Sequence, residues 1–316
     1  MNGHALVWHA LEKLTKEDLM NRTRIRTAVI GLAVVGQLLA ATTAQAVYPG
    51  KDGRLAFGAR VGGNADVYTM KENGNDLRRL TDAAGLDICA SFSADGDDIA
   101  FCSNRTGAFE IWTMKANGSA ERQVTHLGGF ATFPDYSPDG RRIAFGGSIA
   151  DVDSEIYVID ADGTDMVALT TDPGNDELPV WSPTGERIAF LSDRSGIPQV
   201  WLMDADGTDQ TQLTTDSTPK TQLPDWSPDG SKIAFASQPG EFGDIWIIDV
   251  DGSDPFQLTA DPGDDFAPVW SPEGTQIAFL SSRSGTRELF VMNADGSGQR
   301  SLLPGVVAFA PSWGAR

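Results

Sequence analysis

After residue 46, apolar residues fall in short alternating runs separated by Gly, Pro, Ser and Asp, and no helical period is sustained. The clearest run is Pro224-Asp225-Trp226-Ser227-Pro228-Asp229-Gly230-Ser231-Lys232-Ile233-Ala234-Phe235. Ser227, Pro228 and Gly230 occupy the first, second and fourth positions that a type I turn prefers, so the run predicts two strands joined by a tight turn. The same pattern returns with Leu55, Ile99, Ile143, Ile188, Ile233 and Ile277 at one position, 44 or 45 residues apart. An aromatic in a second apolar run recurs in step at Tyr68, Trp112, Tyr157, Trp201, Trp246 and Phe290. An Asn-Gly or Asp-Gly turn follows each time, from Asn73-Gly74 to Asp295-Gly296, then a short polar strand that ends in Leu or Val, as at Leu213-Thr214. Each unit therefore holds four strands, A to D. Self-similarity at this period predicts an all-β fold, a six-bladed β-propeller of four-stranded blades.

The ends of the repeat predict how the ring closes. The first unit begins at Tyr48-Pro49-Gly50 with no proper strand A, whereas Phe309-Ala310-Pro311-Ser312-Trp313 is a strand A with no strand B after it. The C-terminal strand is expected to complete blade 1. Within a blade, Ile233 and Phe235 are expected to face one neighbour and Ala234 and Ala236 the other, because side chains alternate along a strand. The recurrent aromatics read as core, and the polar D strands as protected edges.

Composition narrows the partners. The formal net charge is −20, which disfavours nucleic acid and anionic membrane surfaces and favours cationic groups. At the N-terminus, Arg22, Arg24 and Arg26 precede an apolar run from Ala28 to Ala41, and Ala44-Gln45-Ala46 supplies a small-x-small pattern. Residues 1–46 thus read as an extension and signal peptide, with translation starting at Met20 and cleavage after Ala46. The mature domain is expected at 47–316, periplasmic or secreted, monomeric and without membrane insertion.

The repeat Pro-Asp-Trp-Ser-Pro-Asp-Gly-x-x-Ile-Ala-Phe, followed by Asp-Ile-Trp-x-x-Asp-x-Asp-Gly and Leu-Thr, resembles the WD40-like (PD40) repeats of the TolB propeller family over residues 50–316. The resemblance implies a periplasmic binding propeller with an envelope lipoprotein among its protein partners. The α/β domain that precedes the propeller in that family has no counterpart in this sequence.

Enzyme signatures are scarce. There is no Gly-x-Ser-x-Gly elbow, and after residue 46 the single histidine is His126. A non-enzymatic protein- or peptide-binding propeller is the first expectation; a carbohydrate-active enzyme using channel carboxylates is the alternative. The candidate surface is the set of D-to-A loops around one channel mouth, with Asp87, Asp135, Asp176, Glu177, Asp225, Asp264 and Asp265. Like charges around one rim call for a cationic group, a basic partner segment or Ca²⁺, with Asp176 and Asp265 as the candidate metal ligands. Asp135 and Asp225, beside the core aromatics, have a second reading as acceptors for loop amides. Finally, uninterrupted pairing of Phe92 with Ile99 would set Cys89 opposite Cys102, leaving either a disulfide or two buried thiols.

Overall fold

The computed structural model describes residues 51–149 and 153–315. The expected leader, its start at Met20 and its cleavage point lie outside the described residues. The strands form six four-stranded antiparallel sheets, and the strand order confirms closure by the C-terminus. Strand A of blade 1 (Val307–Ala315) pairs with strand B (Asp52–Arg60), Trp313 opposite Leu55. The other A strands are Asp87–Phe92, Phe130–Tyr136, Asp176–Trp181, Asp225–Trp226 and Asp265–Trp270 in blades 2 to 6.

Local chemistry explains why each unit folds alike. In the A–B turn of blade 5, Gly230 N–H donates to the Ser227 carbonyl at 2.8 Å and Lys232 N–H to Ser227 Oγ at 2.9 Å. Gly230 has φ +71°, a conformation that residues with a Cβ adopt rarely. The Thr of the Leu-Thr pair also has a task. Thr214 Oγ1 accepts the Val200 N–H at 3.0 Å and donates to Gln199 Oε1 at 2.6 Å, tying the end of strand D to the start of strand C. Thr81, Thr125, Thr170 and Thr259 accept the corresponding N–H in blades 1, 2, 3 and 5.

The core lies between blades. Ile233 and Phe235 pack with Ala189, Leu191 and Val200 of blade 4, whereas Ala234 and Ala236 pack with Ile277 and Phe279 of blade 6. The two faces of one strand thus bury against opposite neighbours, as the alternation predicts.

Strand A is less regular than its sequence suggests. In blades 2, 3, 4 and 6 its pairing with strand B shifts by a bulge, and Cys89, Phe133, Leu178 and Ala267 have φ between +50° and +58° there. The extra residue re-aims the side chains on either side of it. It also corrects the cysteine register. Phe92 does face Ile99, but Ile88, not Cys89, stands opposite Cys102. Both thiols are free and buried, and Cys102 Sγ donates to the Ile88 carbonyl at 3.4 Å.

Candidate functional site: the channel and its mouth

The residue before each A-strand aromatic points to the axis. The ring runs Ser312, Ser91, Asp135, Val180, Asp225, Val269, one from each blade, and these six line the cavity together. Three of them clasp the next blade: Ser312 Oγ accepts the Phe92 N–H at 3.1 Å, Asp135 Oδ2 the Trp181 N–H at 2.8 Å, and Asp225 Oδ2 the Trp270 N–H at 2.7 Å. Ser91 Oγ donates to Asp135 Oδ1 at 3.0 Å. Burial pushes the Asp135 carboxyl up to about 6, and raises Asp225 well above the usual carboxylate range with Asp135 adding repulsion. These two acids are channel residues that fasten blades together. The cavity is narrow, about 60 and 70 Å³ in its two stretches. Small-molecule sites commonly offer roughly 300–1,000 Å³, so a sugar ring has little room here.

Above the bulge lie the acids expected to form a charged mouth, and here the expectation changes. Asp87, Asp176 and Asp265 are the first residues of their A strands and are fully buried. Each is held by an arginine from the B–C turn of its own blade: Arg105 Nη2 to Asp87 at 2.6 Å, Arg194 to Asp176, and Arg283 Nη2 to Asp265 at 2.6 Å. The guanidinium sits over an aromatic ring of its blade, Arg105 4.6 Å from the Trp112 ring centre, Arg194 5.0 Å from that of Trp201 and Arg283 5.0 Å from that of Phe290. Its other end reaches the residue just before strand D, where Arg105 binds Glu121, Arg194 binds Gln210 at 2.5 Å and Arg283 binds Gln299 at 2.5 Å. Asp176 and Asp265 therefore sit in separate blades with a guanidinium where the metal ion was expected. Among the described residues, no group of three or more His, Cys, Asp or Glu is arranged to hold a metal.

Glu177 and Asp264 stand apart from that brace. Asp264 Oδ1 accepts the Gly243 N–H at 3.1 Å, securing the adjoining loop of blade 5. Glu177 is buried beside Gly146 of blade 3, and desolvation, with Asp193 and Asp176 adding repulsion, pushes its carboxyl up to about 8. In blade 5 the charges are exchanged. Lys220 bridges to Ser237 where blades 2, 4 and 6 set the aspartate, and its Nζ bonds both oxygens of Asp216 at 2.8 Å.

The arginines were not singled out from the sequence, although a signal exists. Arg-Thr-Gly at 105–107 and Arg-Ser-Gly at 194–196 and 283–285 recur at 89 residues, in step with Asp87, Asp176 and Asp265. Two blades, not one, form the true repeat.

The antiparallel order places all B–C turns and D–A loops on one face and all A–B and C–D turns on the other. On the first face, Val61, Ile149 and Phe242 are exposed at the B–C turns of blades 1, 3 and 5. Short arginine turns stand between them.

Six four-stranded blades, a closed ring, a constricted axis and an apolar-tipped loop face define a propeller built to present a surface. The chain belongs to the TolB β-propeller family: the model of the TolB beta propeller domain matches residues 23–145, 121–223 and 217–316. TolB from Acinetobacter baumannii is similar at a TM-score of 0.75 and 24% identity, covering 85% of this chain and 68% of that one. A putative TolB from Agrobacterium tumefaciens gives 0.66 and 22%, over 82% and 98% of the two chains. An oligogalacturonate lyase from Vibrio parahaemolyticus gives 0.57 and 14%, over 80% and 77%. At these identities the likeness to solved structures is one of fold. No curated protein matches the chain.

Proposed function

We propose that this protein is an exported, non-enzymatic binding propeller that captures a protein or peptide partner, envelope-associated, on the face of its B–C turns. The observation that carries the reading is the set of exposed Val61, Ile149 and Phe242 on that face, in a chain of net charge −20. Large apolar tips on alternate blades of one face offer a partner three contact points. Membership of the TolB propeller family supports a protein partner, and the apolar segment 28–41 with Ala44-Gln45-Ala46 supports export to the periplasm or beyond. The partner meets mainly apolar tips, because the nearby acids Asp87, Asp176 and Asp265 are already neutralised. A carbohydrate-active site would draw on Asp135 and Asp225, but these carboxylates are spent on the Trp181 and Trp270 amides in a constricted channel.

The test is affinity capture from the envelope extract of the source cells, followed by binding measurements on the purified partner. Replacing Val61, Ile149 and Phe242 by Ser should weaken binding at least tenfold with an unchanged melting temperature. Unaltered affinity in that triple variant rejects the surface.

A further inference from the structure

Opposite the C-strand aromatic, strand D sets a polar side chain in every blade but blade 3. Arg79 faces Tyr68, Gln123 faces Trp112, Gln212 faces Trp201, Gln257 faces Trp246 and Ser301 faces Phe290, whereas Ala168 faces Tyr157. The polar residue satisfies acceptors on its own blade. Arg79 Nε and the Nε2 atoms of Gln123, Gln212 and Gln257 donate to the Thr carbonyl two residues on, at 2.7 or 2.8 Å. In blades 1, 5 and 6 the same side chain meets the acid at the start of strand C. Arg79 Nη2 lies 2.9 Å from Asp66, Gln257 Nε2 3.0 Å from Asp244 and Ser301 Oγ 2.7 Å from Glu288. In blade 2 the Gly128 N–H serves Glu110 instead, at 3.2 Å, and in blade 4 the residue is the uncharged Gln199.

Blade 3 keeps the acceptors and lacks the donor. Glu155 stands where blade 1 has Asp66, is half-buried, and among the described residues is hydrogen-bonded by the Thr170 hydroxyl at 2.7 Å. Ala168 has no group to offer either Glu155 or the Thr170 carbonyl. Desolvation, with Asp176 and Asp153 adding repulsion, outweighs the Thr170 bond and the attraction of Arg194 and pushes the Glu155 carboxyl up to about 7. Arg194 is itself committed, with Nε to Ser192 at 2.9 Å, Nη1 to Asp172 at 2.9 Å and to Gln210, and Nη2 to Asp176. Beside Ala168 the edge is open, Met166 and Val167 being exposed. We infer that Glu155 and the Thr170 carbonyl form a receiving site for the guanidinium of an arginine on the partner polypeptide. The site lies at the margin of the face that carries Ile149, so it rests on the binding-face reading and names the chemistry of one contact there. Blade 1 supplies the template, since Asp66 and Thr81 take two different nitrogens of Arg79. A guanidinium can serve both acceptors in that way, and a compact ammonium serves them less well. The net charge of −20 draws such a group in.

The experiment titrates the full chain with N-acetyl-argininamide, N-acetyl-lysinamide and N-acetyl-citrullinamide at matched ionic strength, reading the Glu155 carboxyl signal by NMR. The arginine probe should give a saturable shift with Kd of about 1–10 mM, as suits a single weak contact. Uncharged citrulline should give none, and lysine should bind severalfold more weakly. Glu155→Gln should abolish arginine binding, and Gln199 in blade 4 shows that the fold accepts glutamine at this position. Ala168→Arg should abolish the response too, because the added guanidinium occupies the site as Arg79 does in blade 1. No saturable shift with wild-type protein, lysine binding as tightly as arginine, or a response that persists in Ala168→Arg overturns the assignment. Partner affinity, measured separately, keeps the two readings apart. A severalfold loss in Ala168→Arg supports the site, even where the Val61, Ile149 and Phe242 triple variant binds normally and the apolar tips are rejected. An affinity unchanged in Ala168→Arg but lost in the triple variant overturns the site while leaving the face standing.

Discussion

Blades 2, 4 and 6 and blades 1, 3 and 5 share one backbone plan and differ in what they do with their surfaces. In the even blades an arginine spans the sheet from the A-strand aspartate to Glu121, Gln210 or Gln299, each just before strand D. The odd blades lack that brace, and all seven exposed large apolar residues among those described belong to them: Val61, Leu77, Ile149, Met166, Val167, Phe242 and Phe256. The even blades pair their buried A-strand aspartates internally; the odd blades carry the exposed apolar groups. The repeat thus builds the ring, and alternation within it separates bracing from display.

The comparison between blades 4 and 5 is the easiest to break. Asp176 is fully buried, so Arg194→Met would strand a buried carboxylate and cost about 3–5 kcal/mol. In blade 5 the partner of Lys220 is Asp216, whose side chain is 58% exposed and can return to water. Lys220→Met should therefore cost about 1 kcal/mol or less, the remaining loss being its contact with the Phe235 ring. Chemical denaturation of both variants checks this, and equal losses would mean that the two blades are braced alike.

Glu177 sharpens the contrast through pH. Its folded pKa, about 8, lies above the ordinary value of 4.5, so the folded state holds the proton more tightly. The stability this contributes is complete below about pH 4.5 and is lost as pH rises towards 8. Glu177→Gln should remove that slope and leave the variant roughly 2–4 kcal/mol more stable than wild type at pH 8.5, read from urea midpoints across pH. A smaller effect of the same sign is expected in the channel. Asp225→Asn keeps an acceptor for the Trp270 N–H and removes the repulsion with Asp135, so it should stabilise by about 1 kcal/mol near pH 7, measured by thermal melts.

Much of the fold was legible because its instructions are local. Ser-Pro-Asp-Gly dictates the A–B turn, Asp-Gly the C–D turn, and the alternation in Ile-Ala-Phe-Ala decides which neighbour each side chain meets. The orphan Phe309–Trp313 strand even revealed the closure. The site was less legible, because its chemistry depends on pairs 18 residues apart and on a bulge that composition does not announce. Counting acids placed Asp87, Asp176 and Asp265 near one rim, but only the fold brings Arg105, Arg194 and Arg283 back onto them. The bulge likewise removed Cys89 from its expected place opposite Cys102 and, in blade 3, separated the channel acid Asp135 from the mouth.

The central claim is that the face of odd-blade tips, and not the opposite face, meets the partner. Site-specific photo-crosslinking in living cells tests it directly, with a benzophenone amino acid at Phe242 or Ile149 and, as control, at Asp251 in a C–D turn on the far side. The account predicts one discrete crosslinked protein from positions 242 and 149 and none from 251. The same adduct from 251, with no adduct at 242 or 149, would contradict it.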